Sequence, residues 1–84
     1  MYYVYILECS DGSYYTGYTN NIEKRLVLHN KGGGSKYVRS RRPVKVVFTK
    51  TYRYYKLALK EERRLKTLSR PQKEKLVAGY QSKR

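Results

Sequence analysis

The sequence predicts a small α+β domain: a three-stranded β-sheet flanked by helices, in the order β-β-α-β-α-α. Three observations predict it. Eighty-four residues at 39% hydrophobic content suffice for one folded domain and leave no room for a second. Two aromatic, β-branched stretches flank an Asp-Gly pair, the signature of a hairpin. Two later stretches carry helical signals, one free of Gly and Pro and the other opened by a cap.

Residues 2–8 read Tyr-Tyr-Val-Tyr-Ile-Leu-Glu, strand chemistry throughout. Ser10-Asp11-Gly12-Ser13 supplies the turn, and residues 14–18 return as a second strand. Gly17 inside that strand marks a bulge or a close approach to the backbone. Asn20 opens a helix, with Glu23 three residues on to complete a capping box. The helix runs to about Asn30. Its apolar stripe holds Ile22, Leu26 and, at one edge, Leu28. At 100° per residue, Arg25 and His29 fall inside that stripe. A charge on a core-facing side is costly unless it is paired or faces a cleft, so this placement points to a site.

Residues 31–43 read as a loop rich in Gly, Ser, Lys and Arg, closed by Pro43. Val44 to Thr51 give the third strand, and residues 54–68 the next helix. Ser69 and Gln72 cap a last helix, with Pro71 tolerated in its first turn. That helix is expected to end near Gly79. The domain therefore spans 1–80, with 81–84 as a frayed tail.

Charge is unevenly placed. Residues 1–30 hold two basic and three acidic side chains, whereas residues 31–84 hold eighteen basic and three acidic, for a net +15. Between 31 and 60 there are ten Lys or Arg and no acid. The isoelectric point near 10.1 and the net +14 point to a polyanion partner. Nucleic acid is expected, DNA ahead of RNA, and no membrane. The longest apolar run, 1–7, is too short to span a bilayer. One cysteine and one histidine exclude an intrachain disulfide and a typical structural zinc site. A lone thiol suits a cytoplasmic protein.

Phosphodiester cleavage needs an activated water, neutralised phosphate charge and a stabilised leaving oxygen. Six acids are too few for a two-metal site. A single glutamate with substrate oxygens can hold one hard cation such as Mg²⁺. Glu61 and Glu62 are the candidates, and periodicity leaves both open. Tyr54, Leu57, Leu65 and Leu68 form a stripe around Glu61, while Tyr55, Ala58, Leu59 and Leu65 flank Glu62.

Five elements in order resemble a known family. They are Tyr3-Val4-Tyr5, Tyr15-Thr16-Gly17, Arg25 with His29, the basic run Gly34-Ser35-Lys36-Tyr37-Val38-Arg39 with Arg42-Pro43-Val44, and Leu59-x-x-Glu62-x-x-Leu65-Lys66 with Leu68-Ser69-Arg70. This set resembles the GIY-YIG nuclease superfamily, specifically its small stand-alone members. The resemblance covers nearly the whole chain. It implies an endonuclease in which Tyr5 and Tyr15 lie side by side and one polarises the attacking water. It implies that Arg25 contacts the scissile phosphate, that His29 positions water or assists proton transfer, and that Glu62 holds one Mg²⁺ or Mn²⁺. The tyrosine is an unusual base, with an ordinary pKa near 10, which a neighbouring guanidinium and metal would lower. Gly17, Lys36, Tyr37, Arg39, Arg41 and Arg42 are the expected nucleic-acid contacts. Substrate choice would come from the basic loop or from a partner protein. A non-catalytic nucleic-acid binder is the alternative these same residues support, through charge and stacking.

Overall fold

The computed structural model describes residues 1–82. Three strands form one antiparallel sheet in the order β2-β1-β3: β1 is Tyr2–Glu8, β2 Tyr14–Thr19 and β3 Lys45–Tyr52. Four helices pack around it: α1 Ile22–Asn30, α2 Lys36–Arg39, α3 Tyr55–Lys66 and α4 Arg70–Ser82. The α+β class holds, and α2 is an addition to the expected order. No helix among the described residues is long and apolar enough to cross a membrane.

The central strand is covered on both faces, so Val4 through Leu7 are all buried. Val4 and Ile6 face one core with Phe48, Ala58, Leu65 and Val77. Tyr5, Leu7 and Cys9 face a second core with Val38 and Val44, against which Ile22 and Leu26 of α1 pack. Alternation of side chains across a strand creates this division. It also sends Tyr5 to the α1 side. Turn chemistry sets the hairpin register, which places Tyr5 opposite Gly17 and Leu7 opposite Tyr15. The sheet's irregularity lies on β3, where Ile6 pairs with Phe48 but Leu7 with Val46. Gly17 therefore marks a close approach and not a bulge.

Three local expectations are corrected. Asn21, not Asn20, caps α1: its Oδ1 accepts from Lys24 N at 3.0 Å, and its own N–H donates to Thr19 Oγ1. Glu23 then sits one position too early for a capping box. The 31–43 segment is not all loop, because Ser35 caps the single turn of α2 and Val38 is fully buried. Burial of one apolar side chain holds a turn that propensity would not.

At α4 the capping box forms as expected: Ser69 N donates to Gln72 Oε1 at 2.8 Å and Gln72 N to Ser69 Oγ. The helix then continues through Gly79, which has no positive φ, to Ser82. Tyr80 is tied to β3 by a hydroxyl contact with Thr49 at 3.1 Å and by its ring against Phe48. The last two residues of the expected frayed tail, 83–84, lie outside the described residues.

Candidate active site

The hairpin, α1 and α3 surround a cleft of about 410 Å³. Tyr5, Tyr15 and Gly17 come from the hairpin, Arg25 from α1 and Glu62 from α3. These are four of the five residues expected to do the chemistry, together with the glycine inside β2. The two arrangements open for α3 are now distinguished. Ala58, Glu62 and Leu65 are buried, while Tyr54 and Leu57 are exposed. Glu61 turns to another hollow, where both its oxygens accept from Arg64 at 2.6 and 2.9 Å and Lys50 lies at 3.7 Å. Those cations, Arg64 first, hold its carboxyl below the ordinary value.

Glu62 is 9% exposed. Lys66 Nζ approaches its Oε2 at 3.5 Å. Arg25 is half-buried, and its guanidinium makes no hydrogen bond or ion pair among the described residues. A guanidinium held at a cleft without a carboxylate is poised for an anion.

The fifth residue, His29, stands behind Tyr5 and does not line the cleft. It is 1% exposed, and its Nε2 lies 3.1 Å from the Tyr5 hydroxyl. Its ring meets Tyr15 edge-on at 5.5 Å. Gly34, at φ +80°, passes so close that a β-carbon there would sit 2.9 Å from the imidazole. Burial, and then the Arg25 charge, push His29 below its ordinary value, so it is neutral at pH 7. Its Nδ1 is buried without a partner. An orphaned N–H is rarer in proteins than an orphaned acceptor, so we place the proton on Nε2, which donates to Tyr5. The Tyr5 proton is then free to point at the cleft.

Burial is also the largest influence on Tyr5. It drives the phenol well above its ordinary value; Tyr15 adds to this and Arg25 offsets only part. The neighbouring guanidinium does lower it, as expected, but in the protein alone desolvation outweighs that effect. Tyr5 keeps its proton at neutral pH.

The chain matches the family model for the GIY-YIG catalytic domain over residues 1–75. This protein belongs to the GIY-YIG family. A UPF0213 protein of Halobacterium salinarum is 49% identical over 76 residues, 90% of this chain and 99% of that one. Another, from Staphylococcus saprophyticus, is 48% identical over 77 residues, 92% and 94% of the two chains. The solution NMR structure of a UPF0213 protein from Bacillus halodurans aligns with TM-score 0.60 at 47% identity, covering 93% of this chain and 84% of that one. The solution NMR structure of a protein from E. faecalis aligns with TM-score 0.63 at 40% identity, covering 95% of this chain and 85% of that one. These names state no activity, metal or substrate.

In this GIY-YIG domain no group of three or more His, Cys, Asp or Glu side chains comes together among the described residues. A cage built wholly of protein ligands is therefore not formed. One carboxylate at the cleft suits a hard cation that keeps several waters and takes further oxygens from a phosphate.

The basic segment divides in two. Tyr37 stacks on Tyr15 at 6.0 Å and 25°, and the Arg41 guanidinium lies 3.9 Å over the Tyr37 ring. These two join the cleft through Tyr15. Arg41 is also paired with Asp11 at 3.1 Å. Arg39 donates to Gly32 O and Arg42 to Arg39 O, so both hold the segment's shape. Neither they nor Lys36 line the cleft. Sequence reasoning missed the rim, where Tyr55 contacts Tyr2 and Tyr18 edge-on at 5.8 Å. The available signal was compositional: eleven tyrosines against one Phe and no Trp, an excess that makes sense where rings must also meet water.

His29 gives a pH signature. Its pKa is depressed in the fold, so the unfolded chain takes up a proton first as pH falls. Its share of stability is present above the ordinary value of 6.5 and is lost as pH drops from there toward the folded value. Asp11 and Glu61, both lowered, titrate in unfolded chains near 3.8 and 4.5, below that window. We expect denaturation midpoints to fall between pH 6.5 and 5 in the parent and to stay level in His29→Gln. Parallel profiles for the two proteins would show that His29 is equally basic folded and unfolded.

Proposed function

We propose that this protein is a metal-dependent endonuclease that hydrolyses phosphodiester bonds in DNA, with structure-selective rather than sequence-selective action. The observation that carries this reading is the convergence of Tyr5, Tyr15, Arg25 and Glu62 on one cleft of a chain carrying +14. Such a field draws phosphates in and releases counterions.

In this proposal Arg25 takes a non-bridging oxygen of the scissile phosphate and offsets charge that develops in the transition state. Tyr15 holds the attacking water through its hydroxyl. Tyr5, kept protonated by burial, donates into the cleft and is itself held by His29. Glu62 anchors a Mg²⁺ or Mn²⁺ ion, which when bound neutralises phosphate charge and stabilises the departing oxygen. Lys66, at 3.5 Å from Glu62, balances the carboxylate when no cation is there. Gly17 has no side chain where the Tyr5 phenol passes, 2.5 Å from where a β-carbon would sit, so the glycine makes room for the Tyr5 hydroxyl at the cleft.

The test is nicking of supercoiled plasmid with Mg²⁺ and with chelator. Conversion to open circles only with the metal is the expected result. Binding by gel shift without any nicking would reduce the protein to a nucleic-acid-binding module. Affinity should weaken with salt at a log–log slope of about −0.9 per phosphate contact on duplex DNA.

A further inference from the structure

A second hollow adjoins the cleft across Tyr15. It measures about 310 Å³ and is lined by Tyr14, Tyr15, Thr16, Tyr37, Lys66 and Lys73. Tyrosine rings wall it and two lysines stand on it. Lys73 makes no ion pair among the described residues, and Lys66 links the hollow to the cleft through its 3.5 Å contact with Glu62. Two of these rings also carry a guanidinium, Arg70 4.0 Å over Tyr14 and Arg41 3.9 Å over Tyr37.

Thr16 gives this hollow a chemical demand. It is 4% exposed, yet its Oγ1 is buried with no hydrogen-bond partner. An unpaired buried hydroxyl destabilises the fold, and native proteins keep few of them. A valine would fill the same space without that cost. A ligand with a polar edge would satisfy the hydroxyl while its flat faces met the rings and its phosphates met the lysines. Those three features together describe a nucleotide that has left its stack. A base inside a duplex cannot reach a side hollow until it is extruded.

We propose that this hollow receives an unpaired nucleobase adjacent to the phosphodiester held in the cleft, so that the preferred substrate is DNA with a single-stranded junction, overhang or extruded base beside the scissile bond. The proposal rests on the nuclease reading for the location of the scissile bond. Its binding preference does not depend on cleavage.

The experiment measures binding to the Glu62→Gln protein, which separates the two ideas. Duplexes are compared that are fully paired, that carry one unpaired 2-aminopurine at a junction, or that carry an abasic site there. The unpaired base should tighten binding about tenfold, in line with stacking on aromatic side chains, and its emission should change on binding. The abasic duplex should lose that gain. Thr16→Val should cut the preference at least threefold, leave fully paired affinity unchanged, and raise the unfolding midpoint of the free protein by about 4 °C or more. Lys73→Ala provides a second variant that leaves the buried sheet untouched, and it too should narrow the preference. Equal affinity for paired and unpaired duplexes overturns the proposal. So does a preference that survives both substitutions, even if Thr16→Val is more stable. A wild-type protein that nicks nothing but keeps the preference would sink the nuclease reading alone.

Discussion

Replacing Glu62 by glutamine is expected to lower Mg²⁺-dependent nicking about 10³-fold, equivalent to about 4 kcal/mol of transition-state stabilisation. The substitution keeps the shape and removes the charge. Glu62 is the carboxylate that lines the cleft, and no third acid or histidine gathers with it among the described residues. Nothing nearby can take over as anionic ligand. The fold should tolerate the change. The partner lost is Lys66, at 3.5 Å with a half-exposed side chain, a pair worth at most about 1 kcal/mol. Gel shifts should move little, because one carboxylate removed from a strongly basic surface does not weaken phosphate contacts. Glu61→Gln is the control. It breaks the two-pronged contact with Arg64 in the neighbouring hollow and should nick as the parent does. Equal nicking rates for Glu62→Gln and the parent would remove Glu62 from the reaction.

That contrast also shows where sequence reasoning stops. The hairpin was legible because Asp-Gly and the β-branched runs act locally, and the register then follows from the turn. The inward aim of Arg25 and His29 was legible because α1 has one apolar stripe. In α3 two stripes overlap, and only the seating of Ala58 and Leu65 against the sheet decides between Glu61 and Glu62. The α1 cap slipped by one residue because Asn20 and Asn21 are chemically identical. The Thr19 hydroxyl, which accepts from Asn21 N, selects between them. Tyr80 carried α4 beyond Gly79 through its contacts with Phe48 and Thr49 of β3. The state of Tyr5 was not legible at all. Its neighbours were named correctly, but burial outweighs the guanidinium, and burial belongs to the packed molecule.

Gly17→Ala is expected to cut the nicking rate about 10²-fold while leaving the protein folded and able to bind. A β-carbon at residue 17 would lie 2.5 Å from the Tyr5 hydroxyl oxygen and 2.7 Å from the ring carbon bearing it. Both distances are far inside contact, so one group must move. Gly17 has no positive φ, which means alanine suits the backbone and the clash is the whole effect. Tyr5 has little freedom to yield. It is 2% exposed, and its hydroxyl is held by His29 at 3.1 Å. The ring must shift by a fraction of an ångström to one ångström, a displacement that costs about 10²-fold when the moved group positions the reaction. Overpacking of this kind costs about 1–3 kcal/mol of stability, read as a fall in the unfolding midpoint. A double-mutant cycle with Tyr5→Phe separates the causes. The phenyl ring removes the atom in closest conflict and also the hydroxyl whose placement matters. If Gly17 acts through that hydroxyl, adding Gly17→Ala to Tyr5→Phe should cost much less than it does alone. Additive losses would mean that the glycine serves the approach of DNA to the strand and not the placement of Tyr5.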